Sequence, residues 1–556
     1  MNIRELLAAQ RLPRWFWPLL LGLNFVLHAP AFRLPPTGIH TWRQCNTMAV
    51  ARNFYEEGMN ILRPRVDRRN DSDGVTGMQF PSFEWVAAGG YHLFGFHESI
   101  PRLLNWLIYM AGVVAFYYLV RGISGRAGLA AVGAWCLAWS PELFFHGVNA
   151  LPDVLALTAS LAGLYWFGRW RETRRVGVLA LSLLAITLAG LTKLQFLIVG
   201  FPIAVFVLRD LLARQLPARD LARLLAYAVV AVAVPLAWYA YALRLIEATG
   251  LADFGLVVRP ADDLATAWAT FERNLRVDLP ETLVGYGTLG LLAVGLWRLL
   301  RHAPTRHPWF LPGLAWGLAL AAYYFAELHQ MKYHGYYLIP LLPVLLLLAT
   351  WGAAWLARFR RGRGLLLVLL LAQPVWATVR ISSRWVLQKP DIGPELFEPA
   401  SRARLEAATP AGARCLVGPD ESGCEQFYFL HKKGFGINHP GHLFETTPTG
   451  RLYVADCIAR GARYLYSNDS TMLRDPRLQP YLKQQLLQEG AFGVWELRAP
   501  APGQLQSARH AERSRSIFTA LSGPIDVVYC HDSRCFYQLN STAECQVQLL
   551  HLIDLL

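Results

Sequence analysis

Charged side chains gather at a few points between the long apolar stretches of this chain. They are the cations Arg43, Arg52, Lys193 and Lys332, the carboxylates Asp67, Glu84 and Asp153, and the imidazoles His329 and His334. Cations at a membrane surface suit the phosphate of a lipid headgroup. A carboxylate suits a general base that takes a proton from a hydroxyl group. A lysine or arginine also stabilises the negative charge that develops when a lipid phosphate leaves a sugar carbon.

The densest set of these residues lies in the loop 34–99, between the first two apolar segments. Residues 40–57 predict a helix along the membrane interface, in which positions at helical spacing such as Trp42, Asn46 and Ala49 share one face. An interfacial helix alone is more often an anchor than an active site. This one has more polar groups than anchoring needs: His40, Arg43, Gln44 and Asn46. A turn-rich stretch containing Asp67 follows, and a second apolar helix starting near Pro81 carries Glu84.

Three further clusters occupy turns between later apolar segments. Asp153 opens the fourth segment, Lys193 lies in the short turn TKLQ, and ELHQMKYHGYYLIP adds His329, Lys332, His334, Tyr336 and Tyr337. Each has a purely structural interpretation: a helix N-terminal charge for Asp153, a snorkelling lysine and an aromatic belt. Because all the clusters fall on one predicted side and the spans contain almost no ionisable residues, we predict a shared external pocket.

The composition fits a membrane protein and excludes nucleic acid as a partner. Hydrophobic residues make up 54% of the chain and charged residues only 17%, with a mean hydropathy of +0.27. The net charge of +14 comes from arginines in short loops, where they set membrane topology.

Eleven apolar segments predict eleven transmembrane helices, since lipid offers no partners to open backbone groups. They run over 15–33, 100–120, 127–145, 151–168, 176–192, 194–208, 222–244, 284–300, 308–327, 336–357 and 364–380. Basic loops alternate with acidic or neutral ones. The positive-inside rule therefore predicts a cytoplasmic N-terminus and an external C-terminal domain. The first segment resembles a cleaved signal peptide, but its length favours a retained anchor.

Three domains are predicted along the chain. Residues 1–380 form the polytopic α-helical transmembrane domain, with external loops at 34–99 and 245–283. Residues 381–500 alternate short strand and helix patterns, which indicates a small soluble α/β domain outside the membrane. Residues 501–556 lack this alternation of strand and helix patterns, which predicts a poorly ordered tail.

Six of the eight cysteines lie beyond the last apolar segment: Cys415, Cys424, Cys457, Cys530, Cys535 and Cys545. An external location permits disulfides there, and Cys415–Cys424 is the simplest pairing. A set of structural thiols is the equal alternative.

Several of these motifs together resemble the GT-C membrane glycosyltransferases, in the branch of dolichyl-phosphate-mannose protein mannosyltransferases and the lipid A aminoarabinose transferase. The likeness is strongest to bacterial members with a WRQ motif. It rests on HTWRQCNT at 40–47, ARNFYEEGMNILRPRVD at 51–67, GMQFPSFEW at 77–85, LPD at 151–153, TK at 192–193 and HGYY at 334–337. It covers roughly residues 15–380 and adds Trp42 to the candidate substrate-binding residues.

The resemblance implies that a sugar passes from a polyprenyl-phosphate donor to a glycan, lipid or protein acceptor on the external face of the bacterial inner membrane, with inversion. It places the catalytic carboxylate in the first external loop. Relatives often carry Asp in W-R-Q-x-D-T, where this chain has Asn46. An amide cannot act as a general base at neutral pH. Asp67 is therefore favoured as the base, with Glu84 and Asp153 as the other candidates.

Two other functions remain open from the sequence. One is a catalytically silent protein that binds a lipid-linked sugar, and its only support is Asn46. The other is a transporter or flippase of such lipids, although neither repeats nor broken helices are evident. No cofactor is certain. A divalent metal ion held by Glu84 with His329 or His334 is an open alternative.

Overall fold

The structure, a computed structural model, describes residues 9–252, 259–386 and 392–499. These residues form two compact units. The helical unit comprises 9–34, 77–244 and 259–386, and the sheet unit comprises 35–76, 245–252 and 392–499. The predicted tail 501–556 falls outside the described residues.

The division differs from the predicted domains in the first long loop. The prediction assigned all of 34–99 to the transmembrane domain, whereas 35–76 belongs to the sheet unit and only the remainder to the helical unit. A boundary drawn from composition follows the chain. It therefore cannot show that a segment packs with residues more than 300 positions away.

Most of the described chain is helical. In chain order the α-helices are α1 (Phe16–His28), α2 (Thr41–Glu57), α3 (Ser82–Phe94), α4 (Ser99–Ser124), α5 (Ala127–Ala138), α6 (Pro141–His146), α7 (Asp153–Thr173), α8 (Val176–Thr192), α9 (Gly200–Leu212), α10 (Ala218–Thr249), α11 (Leu264–Arg273), α12 (Gly285–Arg301), α13 (Phe310–Ala326), α14 (Leu328–Tyr333), α15 (Leu342–Leu356), α16 (Arg360–Val386), α17 (Pro399–Ala407), α18 (Glu425–Leu430), α19 (Tyr453–Ala459) and α20 (Ser470–Leu473). The strands are β1 (Arg414–Val417), β2 (Lys433–Gly436), β3 (Tyr464–Ser467), β4 (Leu482–Glu489) and β5 (Phe492–Leu497).

Each of the eleven predicted apolar segments overlaps a helix of the helical unit. By length and composition, five helical stretches of the described residues are able to cross a membrane, or six if the pair Leu264–Leu283 and Gly285–Arg301, bent by 117°, is one span. Four shorter apolar helices, α1, α5, α8 and α13, accompany them. The structure thus supports a protein with several spans, and the count of eleven stays a prediction.

Glycines allow the backbones of α12 and α15 to touch. A Cβ atom on Gly295 would lie 2.0 Å from the carbonyl oxygen of Leu348, and one on Gly352 would lie 2.1 Å from that of Leu291. No side chain fits such distances. Small residues at helix contacts are the usual means by which membrane helices pack closely, because lipid-exposed helices gain little from apolar burial alone.

The sheet unit is built around a five-stranded mixed sheet of order β2-β1-β3-β5-β4. β1 pairs in parallel with β2 and β3, whereas β5 runs antiparallel to β3 and β4. Its core includes Leu416, Phe435, Val454 and Leu465. The mixed helix and strand order matches the pattern in the sequence. Its placement outside the membrane stays a prediction.

The loop residues after α2 extend this sheet at the β2 edge. Arg68 forms a parallel bridge with Gly434, and the backbone N–H groups of Arg69 and Asn70 both donate to the Gly434 carbonyl oxygen at 2.9 Å. Gly434 has a φ of 144°, which favours glycine. Backbone hydrogen bonds therefore fix the segment that carries Asp67 to the C-terminal sheet.

The contact between α12 and α15 gives a direct test of the helical packing. Replacing Gly352 with Ala should lower the free energy of unfolding by about 2 kcal/mol, because the methyl group forces the helices apart. Unfolding in mixed detergent micelles would measure this. Gly313→Ala in α13 is the matched control, since its Cβ meets nothing within 4 Å. Equal stability of the two variants would contradict the close contact.

Candidate functional site

Asp153 begins α7 and is completely buried. Neither carboxylate oxygen has a hydrogen-bond partner among the described residues. The nearest compensating charge is the Lys193 ammonium, whose Nζ lies 3.7 Å from Oδ1 of Asp153. The N-terminus of α7 also favours a negative charge at this position. Lys193 and the helix N-terminus thus compensate the charge of the carboxylate, while its lone pairs remain open to a hydroxyl group.

Two tyrosine rings lie beside the Lys193 ammonium. Nζ is 5.9 Å from the ring centroid of Tyr336 and 5.7 Å from that of Tyr337. The His334 ring stacks on Tyr336 at 5.4 Å, and the Tyr323 hydroxyl donates to the Tyr337 carbonyl oxygen at 2.9 Å. The structure therefore brings together five predicted site residues, which we call the Asp153 cluster: Asp153, Lys193, His334, Tyr336 and Tyr337.

A second buried carboxylate supports the wall of this cluster. His146 Nε2 lies 3.0 Å from Oε1 of Glu142, and Arg384 Nη1 donates to Oε2 at 3.1 Å. Arg384 and His146 thus compensate the charge of this buried carboxylate. The His146 ring lies 5.8 Å from Tyr336. Glu142 thus connects α6, through His146, with α16, through Arg384, next to the segment that contains Tyr336 and Tyr337.

Glycine at 335 lets this segment pass close to Glu142. A Cβ atom on Gly335 would lie 2.7 Å from Oε1 of Glu142. In the sequence, Glu142 and His146 stand shortly before Asp153, but Arg384 is not predicted to join them. The available signal was the pair Arg380 and Arg384, at and just beyond the end of the last apolar segment.

The remaining predicted residues of the helical unit lie on α3 and around α14. Glu84 is buried in the first turn of α3. His329 Nδ1 lies 3.7 Å from Oδ2 of Asp262, and Lys332 Nζ lies 5.0 Å from the Tyr333 ring.

Asp67, the base favoured from the sequence, lies in the sheet unit and is fully engaged. Arg52 Nη2 donates to its Oδ2 at 2.8 Å, and Asn53 Nδ2 donates to its Oδ1 at 2.8 Å. Arg52 also donates from Nη1 to the carbonyl oxygen of Tyr428 at 3.1 Å. Only 5% of the Arg52 side chain and 2% of the Asp67 side chain are exposed. This pair clamps α2 to the following loop and to α18, which is a structural role.

The WRQ segment occupies the first turns of α2. His40 precedes the helix in a left-handed conformation, with a φ of 60°. Gln44 Nε2 donates to the carbonyl oxygen of Thr37 at 2.9 Å, and Arg43 and Asn46 are buried. The predicted helix is present, but its residues from Thr41 to Phe54 are buried except Trp42. The prediction of a helix lying along the interface is therefore wrong in one respect, because an interfacial helix would leave one face exposed.

A histidine between two carboxylates fastens the end of α2. His431 Nε2 lies 2.7 Å from Oε1 of Glu56, and its Nδ1 lies 2.6 Å from Oε1 of Glu406. Hydrogen bonds to Glu406 and Glu56 raise the pKa of His431. Lys433 pairs with the same Glu56 at 3.2 Å. These contacts join α2, α17 and the start of β2 within the sheet unit.

The Cys415–Cys424 disulfide does not form. Cys415 is a buried thiol in β1, and Cys424 Sγ lies 3.3 Å from the carbonyl oxygen of Trp42, to which it donates. The thiol alternative is correct for these two residues. Cys530, Cys535 and Cys545 lie outside the described residues.

No group of three or more His, Cys, Asp or Glu side chains in the described ranges is arranged to hold a metal ion. The metal site considered for Glu84 with His329 or His334 therefore has no third ligand of these types among the described residues. Divalent metal binding stays an open prediction.

Part of the chain matches the model of a known protein family. Residues 79–239 match the sequence model of the family described as dolichyl-phosphate-mannose-protein mannosyltransferase. This stretch contains Glu84, Asp153 and Lys193. No curated protein matches the chain.

Solved structures share the fold over most of the chain. ArnT from Cupriavidus metallidurans is 14% identical with a TM-score of 0.59, over 88% of this chain and 98% of its own. Its complex with undecaprenyl phosphate has the same score over 86% and 97%. The Archaeoglobus fulgidus oligosaccharyltransferase is 11% identical with a TM-score of 0.53, over 82% and 69%. The mycobacterial arabinofuranosyltransferase AftD is 16% identical with a TM-score of 0.54, over 87% and 40%.

The chain therefore has the fold of the GT-C membrane glycosyltransferases. Among them, the resemblance to the dolichyl-phosphate-mannose protein mannosyltransferase and ArnT branch, predicted from the sequence, is confirmed.

The clamp formed by Arg52 and Asp67 should dominate the stability of the sheet unit. Asp67→Asn leaves a buried guanidinium without its counter-charge, so we expect a loss of about 3 kcal/mol. Hydrogen–deuterium exchange of α2 in the full-length protein would measure the loss. Asp71→Asn is the control, because the Asp71–Arg460 pair is half exposed and contributes at most about 1 kcal/mol. Unchanged α2 protection in Asp67→Asn would contradict the structural role.

The His431 contacts predict a pH-dependent α2. Because the pKa of His431 is raised in the folded protein, its contribution is fully present below the ordinary histidine pKa of about 6.5. It is lost as the pH rises through the raised value. Exchange of the Glu56 end of α2 should therefore accelerate with pH beyond the intrinsic increase. Glu406→Gln, which removes the first carboxylate, should flatten this dependence. An identical pH profile in both proteins would exclude His431 as the cause.

Proposed function

We propose that this protein is a glycosyltransferase that moves a sugar from a polyprenyl-phosphate donor to an acceptor on the external face of the bacterial cytoplasmic membrane. The observation that carries the proposal is the Asp153 cluster, in which a buried carboxylate has a lysine beside it and accepts no hydrogen bond from the part of the chain that the structure describes. The fold shared with ArnT, which has been seen bound to undecaprenyl phosphate, supports a lipid-phosphate donor.

Asp153 is the general base of this proposal. Of the candidates, Asn46 carries an amide and cannot take a proton at neutral pH. Asp67 accepts from Arg52 and Asn53 through both oxygens. Asp153 has its charge compensated by Lys193 and the start of α7, and its lone pairs are open to an acceptor hydroxyl. Glu84, buried in the helical unit, stays the second carboxylate of the site.

The reaction follows from these groups. Asp153 takes the proton of the acceptor hydroxyl, and the acceptor oxygen forms a bond to the anomeric carbon of the sugar. The bond from that carbon to the phosphate oxygen breaks with inversion, and polyprenyl phosphate leaves with the electron pair. Lys193 stabilises the charge on the departing phosphate. Tyr336 and Tyr337 present their ring faces to the ammonium and orient it.

The other candidates have supporting roles. His40, Trp42, Arg43 and Gln44 at the start of α2, with His329, Lys332 and His334, bind the donor or the acceptor. Arg52 acts indirectly by fixing α2. The proposal includes eleven spans, a cytoplasmic N-terminus, and an external location for residues 381–500, which contact the acceptor.

Release of free polyprenyl phosphate from polyprenyl-phosphate sugars tests the reaction, with the purified full-length protein and crude envelope acceptors. Asp153→Asn should lower the acceptor-dependent rate by about 100-fold or more, because proton transfer to a positioned base contributes about 10²–10⁴-fold. Donor binding should be retained. The matched carboxylate-to-amide control is Glu421→Gln, at an exposed position of the sheet unit.

Two results would count against this assignment. A wild-type rate in Asp153→Asn would move the base to another carboxylate. Donor binding by the wild-type protein without release of polyprenyl phosphate from any donor would favour the silent binding protein instead.

A further inference from the structure

A cavity of about 300 Å³ lies among the C-terminal ends of α4, α7 and α9, beside Trp309 before α13. These helix ends adjoin two of the basic loops, 121–126 and 169–175. Asp153 lies at the start of α7, whereas the last turns of the same helix form part of the cavity wall. The 21 residues of α7 separate the two sites by roughly 30 Å. The cavity is therefore distinct from the Asp153 cluster.

The charges around the cavity leave an excess of one positive charge. Three arginines and two carboxylates line it: Arg169, Arg171, Arg174, Glu172 and Asp210. Arg171 makes two hydrogen bonds to Asp210, at 2.9 and 2.5 Å. Arg169 pairs with Glu172, where both side chains are about half exposed. Arg174, whose Nη2 is 3.7 Å from Asp210, is the cation left over by this pairing.

Arg174 also offers a hydrogen-bond donor. Its Nη1 is buried and makes no hydrogen bond to any described residue. The guanidinium is held in place over the Trp170 ring at 4.9 Å. A buried donor without an acceptor is unfavourable, and the Arg174 side chain as a whole is 32% exposed. An anion that enters the cavity therefore meets a fixed charge whose guanidinium has a hydrogen bond still to make.

The rest of the wall suits the apolar part of an amphiphile. It includes Leu119, Leu164 and the rings of Tyr118 and Tyr165, whose centroids are 5.5 Å apart. Tyrosine and tryptophan favour the level of the lipid headgroups. Gly168 faces open space, because a Cβ atom there would meet nothing within 4 Å.

We propose that this cavity binds the phosphate group of an anionic phospholipid headgroup, with Arg174 as its main ligand. Basic pockets between membrane helices are known to hold such headgroups, and guanidinium–phosphate hydrogen bonds are strong and directional. The site is separate from the one that would take the donor lipid, and it does not depend on the proposed transfer reaction. A soluble phosphate compound shares the same chemistry and is the other source to be tested.

Native mass spectrometry of the full-length protein, titrated with phosphatidylglycerol or phosphatidylcholine, tests the proposal. The wild-type protein should retain one phosphatidylglycerol in preference to phosphatidylcholine. Arg174→Gln and Gly168→Leu should each weaken phosphatidylglycerol binding about tenfold, which corresponds to the loss of one charge-assisted hydrogen bond. The first removes the ligand and the second fills the cavity.

Two matched controls use neighbouring residues that do not line the cavity. Arg175→Gln removes an adjacent positive charge, and Gly177→Leu places the same side chain where a Cβ also meets nothing within 4 Å. Both should bind like the wild type. The lipid-free melting temperature of each variant reports folding, and if Gly168→Leu unfolds, Arg174→Gln carries the test.

The results separate the alternatives. Displacement of phosphatidylglycerol by inorganic phosphate would assign the site to a soluble phosphate compound, and retention would assign it to the lipid. Wild-type binding in both Arg174→Gln and Gly168→Leu would overturn the proposal. Equal affinity for phosphatidylcholine would overturn it as well, since a net positive site distinguishes the two headgroups.

Discussion

Burying an ionised side chain is unfavourable unless another group replaces the water it loses. The polar contacts of this chain follow from that constraint. Arg52 and Asp67 satisfy each other, and Glu142 is satisfied by His146 and Arg384. Pairs of this kind order the chain around them, since removal of one partner leaves a buried charge. They explain why a helix near the N-terminus and a loop after it pack with a sheet formed more than 300 residues later.

Asp153 differs from these carboxylates, and the difference indicates function. It is as buried as Asp67, but neither of its oxygens accepts a hydrogen bond from the described residues. The Lys193 ammonium at 3.7 Å and the start of α7 compensate its charge. A carboxylate that keeps its lone pairs open in a buried site is poised to accept a proton. A carboxylate that accepts hydrogen bonds through both oxygens has no such capacity. This test distinguishes Asp67, which holds the structure together, from Asp153, which we propose as the base.

Helix packing in the helical unit follows a second constraint. Lipid does not drive apolar helices together, so close contact needs small residues at the crossing. Gly295 and Gly352 supply it for α12 and α15. The ends of the helices then carry the polar groups. The Asp153 cluster lies at one end of α7 and the arginine-lined cavity at the other, so one rigid helix positions two sites of different character.

The sequence by itself determined the class of protein, the positions of the apolar helices and the residue types of the site. Hydropathy, arginine placement and short motifs are local properties, and each can be read within a few tens of residues. The same local reading located Asp153, Lys193 and the tyrosines at 336 and 337. Only the tertiary structure decided which candidates meet, because partners such as Arg52 with Asp67 and Tyr428, or Glu142 with Arg384, are joined by packing and not by spacing. The structure also shows Cys415 and Cys424 as free thiols and shows the predicted interfacial helix to be buried. The physical reason is that hydrogen bonding and burial depend on neighbours distant in sequence, which no pattern along the chain records.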